Sequence, residues 1–168
     1  MSYSGDYSGF ADYNDSTTAG TPINITKNTW TTITNDGAGA FSNTSYLPYN
    51  ITTLMDTSTG AIDVTELELG DSILVRNDFT VTPNTNNALL SFRYQLGTGG
   101  GLYTLEKIIG RLDSGSGQPY RFSLTTDYIY MGDTNTRDNP ITLQVYLSAK
   151  GSLVNAGSVI QVIKHKVL

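Results

Sequence analysis

Three stretches of two-residue alternation constrain this chain more than any other feature. In residues 73–81, Ile73, Val75, Phe79 and Val81 fall on one face, while Arg76, Asp78 and Thr80 fall on the other. In residues 90–96, Leu90, Phe92, Tyr94 and Leu96 alternate with Ser91, Arg93 and Gln95. In residues 141–147, Ile141, Leu143, Val145 and Leu147 alternate with polar Thr142 and Gln144. A period of two belongs to the extended strand, whose successive side chains point to opposite faces. One apolar and one polar face per strand predicts antiparallel sheets with one side on a core and the other in water.

Weaker strand signals occur at residues 25–34, 120–125, 127–131 and 158–167. Residues 103–112 are rich in Ile and Leu but short, and read as either a strand or a helix. Clusters of Gly, Asn, Asp, Ser and Pro separate these segments, at 35–37, 83–87, 97–101, 114–117 and 133–140. Such residues set the backbone angles of turns. No stretch after residue 22 holds a helical period over twelve residues. Seven or eight strands joined by turns predict an all-β antiparallel sandwich, a jelly roll. A chain of 168 residues suits one such core.

Composition removes whole classes of function. The net charge is −5, and charged residues make up only 15% of the chain, against about 25% in an average domain. Thr, Ser, Asn and Gly fill the difference, so the expected surface is polar and uncharged. An acidic surface repels phosphate backbones, which excludes nucleic acid as an expected partner. No apolar run approaches the ~18–20 residues that span a bilayer, so no membrane partner is expected. The first thirty residues combine no basic start with an apolar stretch, and no secretory signal is expected. Without any Cys, disulfides, thiolate metal sites and cysteine nucleophiles are excluded. His165 is the single histidine, so no site can use two imidazoles.

Residues 1–22 differ from the remainder. Their large apolar side chains are Tyr3, Tyr7, Phe10 and Tyr13, and the repeat Tyr3-Ser4-Gly5-Asp6, Tyr7-Ser8-Gly9-Phe10 runs through them. The aromatic spacing fits a helix face, but Gly5 and Gly9 oppose it at about 1 kcal/mol each. The expectation is an extended arm over 1–22, followed by the jelly-roll domain over 23–168. The four aromatics are the expected anchors on a partner, because rings bring large contact area with few rotatable bonds.

Other candidates for chemistry read more simply as turns. Gly97-Thr98-Gly99-Gly100-Gly101 is followed by Leu102-Tyr103-Thr104-Leu105 and lacks the helix start that a phosphate cradle needs. Asp133, Asn135 and Asp138 place hard oxygen ligands within six residues, but without the glycine and distal Glu of a calcium loop. They are weak metal candidates, and the expectation is no metal and no cofactor. Asp56, Asp63, Glu66, Glu68 and Asp71 form an acidic stretch whose expected role is a solvated rim; acid–base work on a glycosidic bond would need a cleft. His165, between Lys164 and Lys166, reads as a basic strand edge that discourages pairing with another chain.

The run Thr34-Asn35-Asp36-Gly37-Ala38-Gly39-Ala40-Phe41 with Tyr46-Leu47-Pro48 resembles small structural proteins of tailed bacteriophages. So do Leu67-Glu68-Leu69-Gly70-Asp71 ahead of a long alternating strand, Gly99-Gly100-Gly101-Leu102-Tyr103, and Tyr130-Met131-Gly132-Asp133-Thr134-Asn135 before Asn139-Pro140. The resemblance implies a tumour-necrosis-factor-like jelly roll that assembles as a homotrimer. It further implies a non-enzymatic virion protein on the exterior of the phage particle, made in the cytoplasm of the bacterial host. Capsid decoration (cement) proteins, head fibres and tail-fibre tips are the roles such proteins take. With no heptad or collagen-like stalk in sight, decoration of the major capsid protein through the arm is the leading expectation. A receptor-binding fibre domain that engages a host surface ligand is the alternative. Apolar residues on both faces of the last strands also speak for a trimer: Tyr146 on a polar side, and Ile160 and Val162 opposing Val159 and Ile163.

Overall fold

In the computed structural model, which describes residues 7–38 and 42–165, the alternating segments are the long strands of two packed sheets. In chain order the elements are β1 (Ser8–Asn14), the single-turn helix α1 (Thr17–Gly20), β2 (Ile23–Ile25), β3 (Trp30–Thr32), β4 (Ser42–Tyr46) and the hairpin β5 (Met55–Asp56) with β6 (Ala61–Ile62). There follow β7 (Ser72–Pro83), β8 (Ala88–Leu96), a 3-10 turn (Gly99–Gly101), β9 (Tyr103–Leu112), β10 (Tyr120–Tyr130), the single-turn helix α2 (Thr134–Arg137), β11 (Thr142–Leu147) and β12 (Gly151–Ile163).

The larger sheet runs β10-β7-β12-β1-β4, with β2 pairing the first residues of β12. The smaller runs β3-β11-β8-β9. The antiparallel pairs β2·β12, β3·β11, β7·β10 and β8·β9 are nested in sequence. One long hairpin folded over on itself gives that nesting, and it is the topology of a jelly roll. The predicted fold class therefore holds.

The inward faces are those the alternation predicts. Ile73, Val75, Phe79 and Val81 on β7 meet Leu90, Phe92, Tyr94 and Leu96 on β8, all buried. The rings of Phe79 and Phe92 stack across the two sheets, 5.0 Å apart. Ile141, Leu143, Val145 and Leu147 close the same core. Residues 103–112 are a strand, and residues 25–34 divide between β2 and β3, which lie in different sheets.

Two predicted strands are one. Residues 120–125 and 127–131 lie largely in β10, interrupted by a bulge at which residues 125 and 126 stand against Arg76 alone. A bulge shifts the alternation by one position. Leu124 faces inward before it; Asp127 and Ile129 face inward after it. Two shorter sequence signals were thus a single strand whose period slips.

The expected break at residue 22 has no counterpart in the sheets. From Ser8 the chain is part of the sandwich: β1 pairs with β12 over Ser8↔Ile163 to Asn14↔Gly157, and with β4 from Phe10↔Tyr46. Ala11 and Tyr13 enter the core. The pairing needs close backbone approach that only glycine permits. A Cβ at Gly9 would lie 2.1 Å from the Tyr46 carbonyl oxygen, and one at Gly157 would lie 2.1 Å from that of Tyr13. Polar loop residues close the remaining ends of the chain's turns. Asp15 Oδ1 accepts from the amides of Thr17 and Thr18, and Thr18 exchanges two hydrogen bonds with the Asn155 backbone.

The acidic stretch is a set of loop staples. Glu66 accepts from the Thr52 amide (2.5 Å) and hydroxyl (2.7 Å) and from the Thr53 amide. Those bonds, the Thr52 amide first, hold its carboxyl below the usual range. Asp63 and Asp56 close short turns on Thr65 and Ser58. Asp71, buried, accepts from the amides of Glu68 and His165. A carboxyl depressed in the folded state binds fewer protons than in the unfolded chain. The stabilisation is therefore present above the unfolded pKa, about 4.3, and is lost as pH falls through the lower folded value. Thermal unfolding should shift downward below about pH 4.5, and Glu66→Gln should flatten that acid limb while lowering stability at pH 7.

Candidate functional site

The larger sheet carries aromatic residues on its outward face. Its register places Tyr128, Leu74, Gln161, Phe10 and Tyr46 in one row across five strands. At the β4 end of the row Phe10 and Tyr46 stack at 5.1 Å with planes 19° apart, and they remain 41% and 59% exposed. Tyr7, Tyr49 and Ile163 are exposed at the same end; Tyr7 and Tyr49 are tied there through their carbonyls to the Lys164 amide and ammonium. Arg76 and Asp78 pair at 3.3 Å on the flank, and Asp12 sits beside them. Burial holds the Asp12 carboxyl above its usual value, with Arg76 opposing that shift and Asp78 adding to it. The result is an apolar patch with a charged rim.

This settles where three of the four expected anchors lie. Tyr7 and Phe10 are on the surface. Tyr13 is only 3% exposed, and its hydroxyl accepts from the Leu54 amide at 2.9 Å, so it is a core residue and offers no ring to a partner. Tyr3 lies outside the described residues. Tyr46 and Tyr49, which complete the patch, were missed, because nothing in a string of Ser, Asn and Tyr marks β4 as a strand.

The residues read as showing a covered outer face also divide. Ile160 and Val162 are fully buried in the core, Val159 is half-buried on the outer side, and Ile163 is exposed. Tyr146 is covered by its own chain: its ring lies 5.4 Å from Trp30, and its hydroxyl is 3.1 Å from Asn28 Oδ1. Neither needs a second copy to account for it.

Inside the sandwich lies a polar cluster. Asn77 donates to the Tyr94 hydroxyl at 2.5 Å and accepts from the Ser158 hydroxyl at 2.6 Å, all three buried. The bulge in β10 turns Asp127 inward beside them, where its Oδ1 pairs with Lys107 of β9 and its Oδ2 is buried without a hydrogen-bond partner of good geometry. Burial pushes the Tyr94 phenol well above its ordinary pKa, and the Asp127 charge pushes it further. Lys107 and Asp127 face inward from β9 and β10, one edge strand of each sheet, with β3 and β4 at the opposite edges. Inward-pointing charges and bulges are devices that keep a free edge from pairing with another chain. Edge protection, not chemistry, explains the pair.

The 133–138 loop holds three separately engaged side chains. Asp133 Oδ1 accepts from the Thr136 amide (2.7 Å) and caps α2. Asn135 bonds to Thr98 in the facing glycine loop. The Asp138 carboxylate takes the Arg137 guanidinium through both oxygens, which holds its pKa low. Among the described residues no group of three or more His, Cys, Asp or Glu gathers to hold a metal. Adding a chelator should leave the melting temperature unchanged. A fall of several degrees that calcium restores would assign the loop to a metal.

The Asn135–Thr98 bonds clamp the glycine loop against the turn after β10, and a cleft of about 410 Å³ opens beside them between β9 and β10. Leu96 and Ile129 form its buried base, and Tyr103, Tyr128 and Tyr130 stand exposed around it.

No protein-family model and no curated protein matches the chain. Two solved structures that it is similar to are viral. A chain in the structure of infectious bursal disease virus, Gx strain, is 13% identical at a TM-score of 0.39, covering 95% of this chain and 30% of that one. A chain in the crystal structure of the T13 particle of the same virus is 13% identical at 0.41, covering 98% of this chain and 33% of that one. This chain therefore spans about a third of each.

Proposed function

We propose that this chain is a non-enzymatic structural protein of a tailed-phage particle, a decoration protein seated on the capsid exterior. The observation that carries the reading is the Phe10–Tyr46 stack, open on a sheet face and rimmed by charge. An apolar centre with a polar rim is the anatomy of a protein–protein contact. Aromatic anchors of this kind supply most of the binding energy in such contacts. The jelly roll and the sequence resemblance to phage structural proteins support the same role.

Attachment to the major capsid protein runs through this patch, with Tyr7 and Phe10 from β1 and Tyr46 from β4. The double variant Phe10→Ala/Tyr46→Ala should fold, since both rings are on the surface, and should lose capsid binding by a hundredfold or more, about 2.7 kcal/mol. Full occupancy of capsids by the folded double variant would overturn the assignment.

Self-association as a homotrimer belongs to the same reading. With the β9 and β10 edges guarded, copies would meet there through a sheet face, and Ile108 at the β9 bulge, 72% exposed beside Ile109, is the apolar contact proposed between them. Light scattering should give three times the 18.2 kDa chain mass, and Ile108→Glu should return the monomer. A wild-type mass of one chain would remove the trimer.

A receptor-engaging fibre domain is the second reading, favoured by the tyrosine-rimmed cleft. Copy number per particle separates the two: hundreds for decoration, a few dozen or fewer for a fibre.

A further inference from the structure

We propose that the cleft between β9 and β10 binds a neutral saccharide. This site is separate from the attachment patch. It lies at the β10 edge of the larger sheet, four strand spacings, or about 19 Å, from the β4 edge.

The cleft is preformed. Gly97, Gly101 and Gly132 line or flank it, and each leaves room that a side chain would fill. A Cβ at Gly97 or Gly101 would meet the Asn135 amide at 2.4 or 2.6 Å, and one at Gly132 would meet the Tyr130 ring at 2.7 Å. Asn135 thus locks the two loops together, and the Tyr130 ring lies down over the Gly132 backbone while remaining 60% exposed. A volume of about 410 Å³ falls in the range of small-molecule sites.

Its chemistry is that of a polyol partner. Tyr128 and Tyr130 present rings 6.5 Å apart with planes 26° from parallel. Near-parallel rings offer a platform for the C–H face of a pyranose, whereas a quaternary ammonium needs rings that enclose it. Asp133 spends Oδ1 on the Thr136 amide and keeps Oδ2 without a partner among the described residues. A carboxylate oxygen accepts from two neighbouring sugar hydroxyls as a charge-assisted bond. No Lys or Arg lines the cleft, which disfavours anionic sugars and phosphates.

The test is a titration of the full chain, followed by amide chemical shifts, with maltose, lactose and chitobiose as neutral probes. Sialyllactose and choline serve as charged controls. At about 20 mM probe, a site with a Kd near 1 mM, about −4 kcal/mol, would be almost saturated. The expected result is shift changes confined to residues 96–105 and 128–136 with at least one neutral probe. Tyr130→Ala and Asp133→Asn should each weaken that binding tenfold or more. Gly132→Ala should do the same by displacing the Tyr130 ring, although every binding side chain is retained. Absence of shifts with all neutral probes overturns the proposal. So does preference for sialyllactose or choline, or undiminished binding by Tyr130→Ala with the fold intact. Because capsid attachment is read on the opposite end of the sheet, failure here leaves the decoration role standing, and failure of that role leaves this site standing.

Discussion

Gly157→Ala is expected to cost about 3–5 kcal/mol of stability, which for a domain of this size lowers the melting temperature by roughly 6–20 °C. Gly157 sits at the β12 bulge with φ +127°, a backbone conformation that a side chain strains. The added Cβ would also lie 2.1 Å from the Tyr13 carbonyl oxygen and 2.9 Å from Asn14 Cα. Both obstacles are backbone atoms of β1, so no rotamer change relieves them. β1 must move off β12, and Ala11 and Tyr13 must leave the core with it. Gly20→Ala is the control: nothing lies within 4 Å of its added Cβ, and it should change stability by less than about 0.5 kcal/mol. Thermal unfolding followed by circular dichroism reads both. A Gly157→Ala melting point within a degree or two of the parent would show that β1 is not paired with β12 as described. Phe10 rides on β1, so under the proposed decoration role the same variant should also lose capsid binding even where it stays soluble.

Asn77→Ala is expected to cost about 2–4 kcal/mol, the desolvation penalty of leaving buried polar groups unpaired. The Tyr94 and Ser158 hydroxyls both lose the Asn77 partner they have in the core. Tyr94→Phe alone removes one hydroxyl and strands one Asn77 proton, so the double variant should cost less than the sum of the singles. An additive pair would dissolve the network. The raised Tyr94 pKa supplies an independent reading. The native state keeps a proton that the unfolded chain releases near pH 10, so its contribution is full below that value and is lost as pH climbs toward the folded one. Ultraviolet titration should show a phenol that ionises well above the ordinary range, and Tyr94→Phe should remove it.

Asn77 also marks how far the sequence could be read. It occupies the inward slot between Val75 and Phe79, so alternation placed it in the core while its polarity concealed that. The slot was the available signal. The same alternation assigned the inward residues of β7, β8 and β11 correctly, and with them the all-β sandwich. Asp127 was not legible in this way. Its inward aim depends on a bulge opposite Arg76, and nothing in residues 124–127 announces an extra residue in the ladder. The candidate surfaces behaved alike. Tyr7 and Phe10 stood out by composition, but Tyr13 of the same series is buried, and Tyr46 joined them only through β4 and Tyr49 through the loop after it.

By itself, then, the sequence determined that the segments of β7, β8 and β11 are strands and which face of each is apolar, because a two-residue period is set by local backbone geometry and survives in the string. It also excluded thiol chemistry and paired imidazoles, because those require residues the chain lacks. Tertiary structure alone decided that Ser8–Asn14 is a sheet strand, where the bulges fall, and which aromatics meet solvent. Those outcomes rest on pairings such as Ala11 with Ile160 and Phe10 with Tyr46. They are contacts between residues distant in the chain, and their energies depend on partners that no local pattern names.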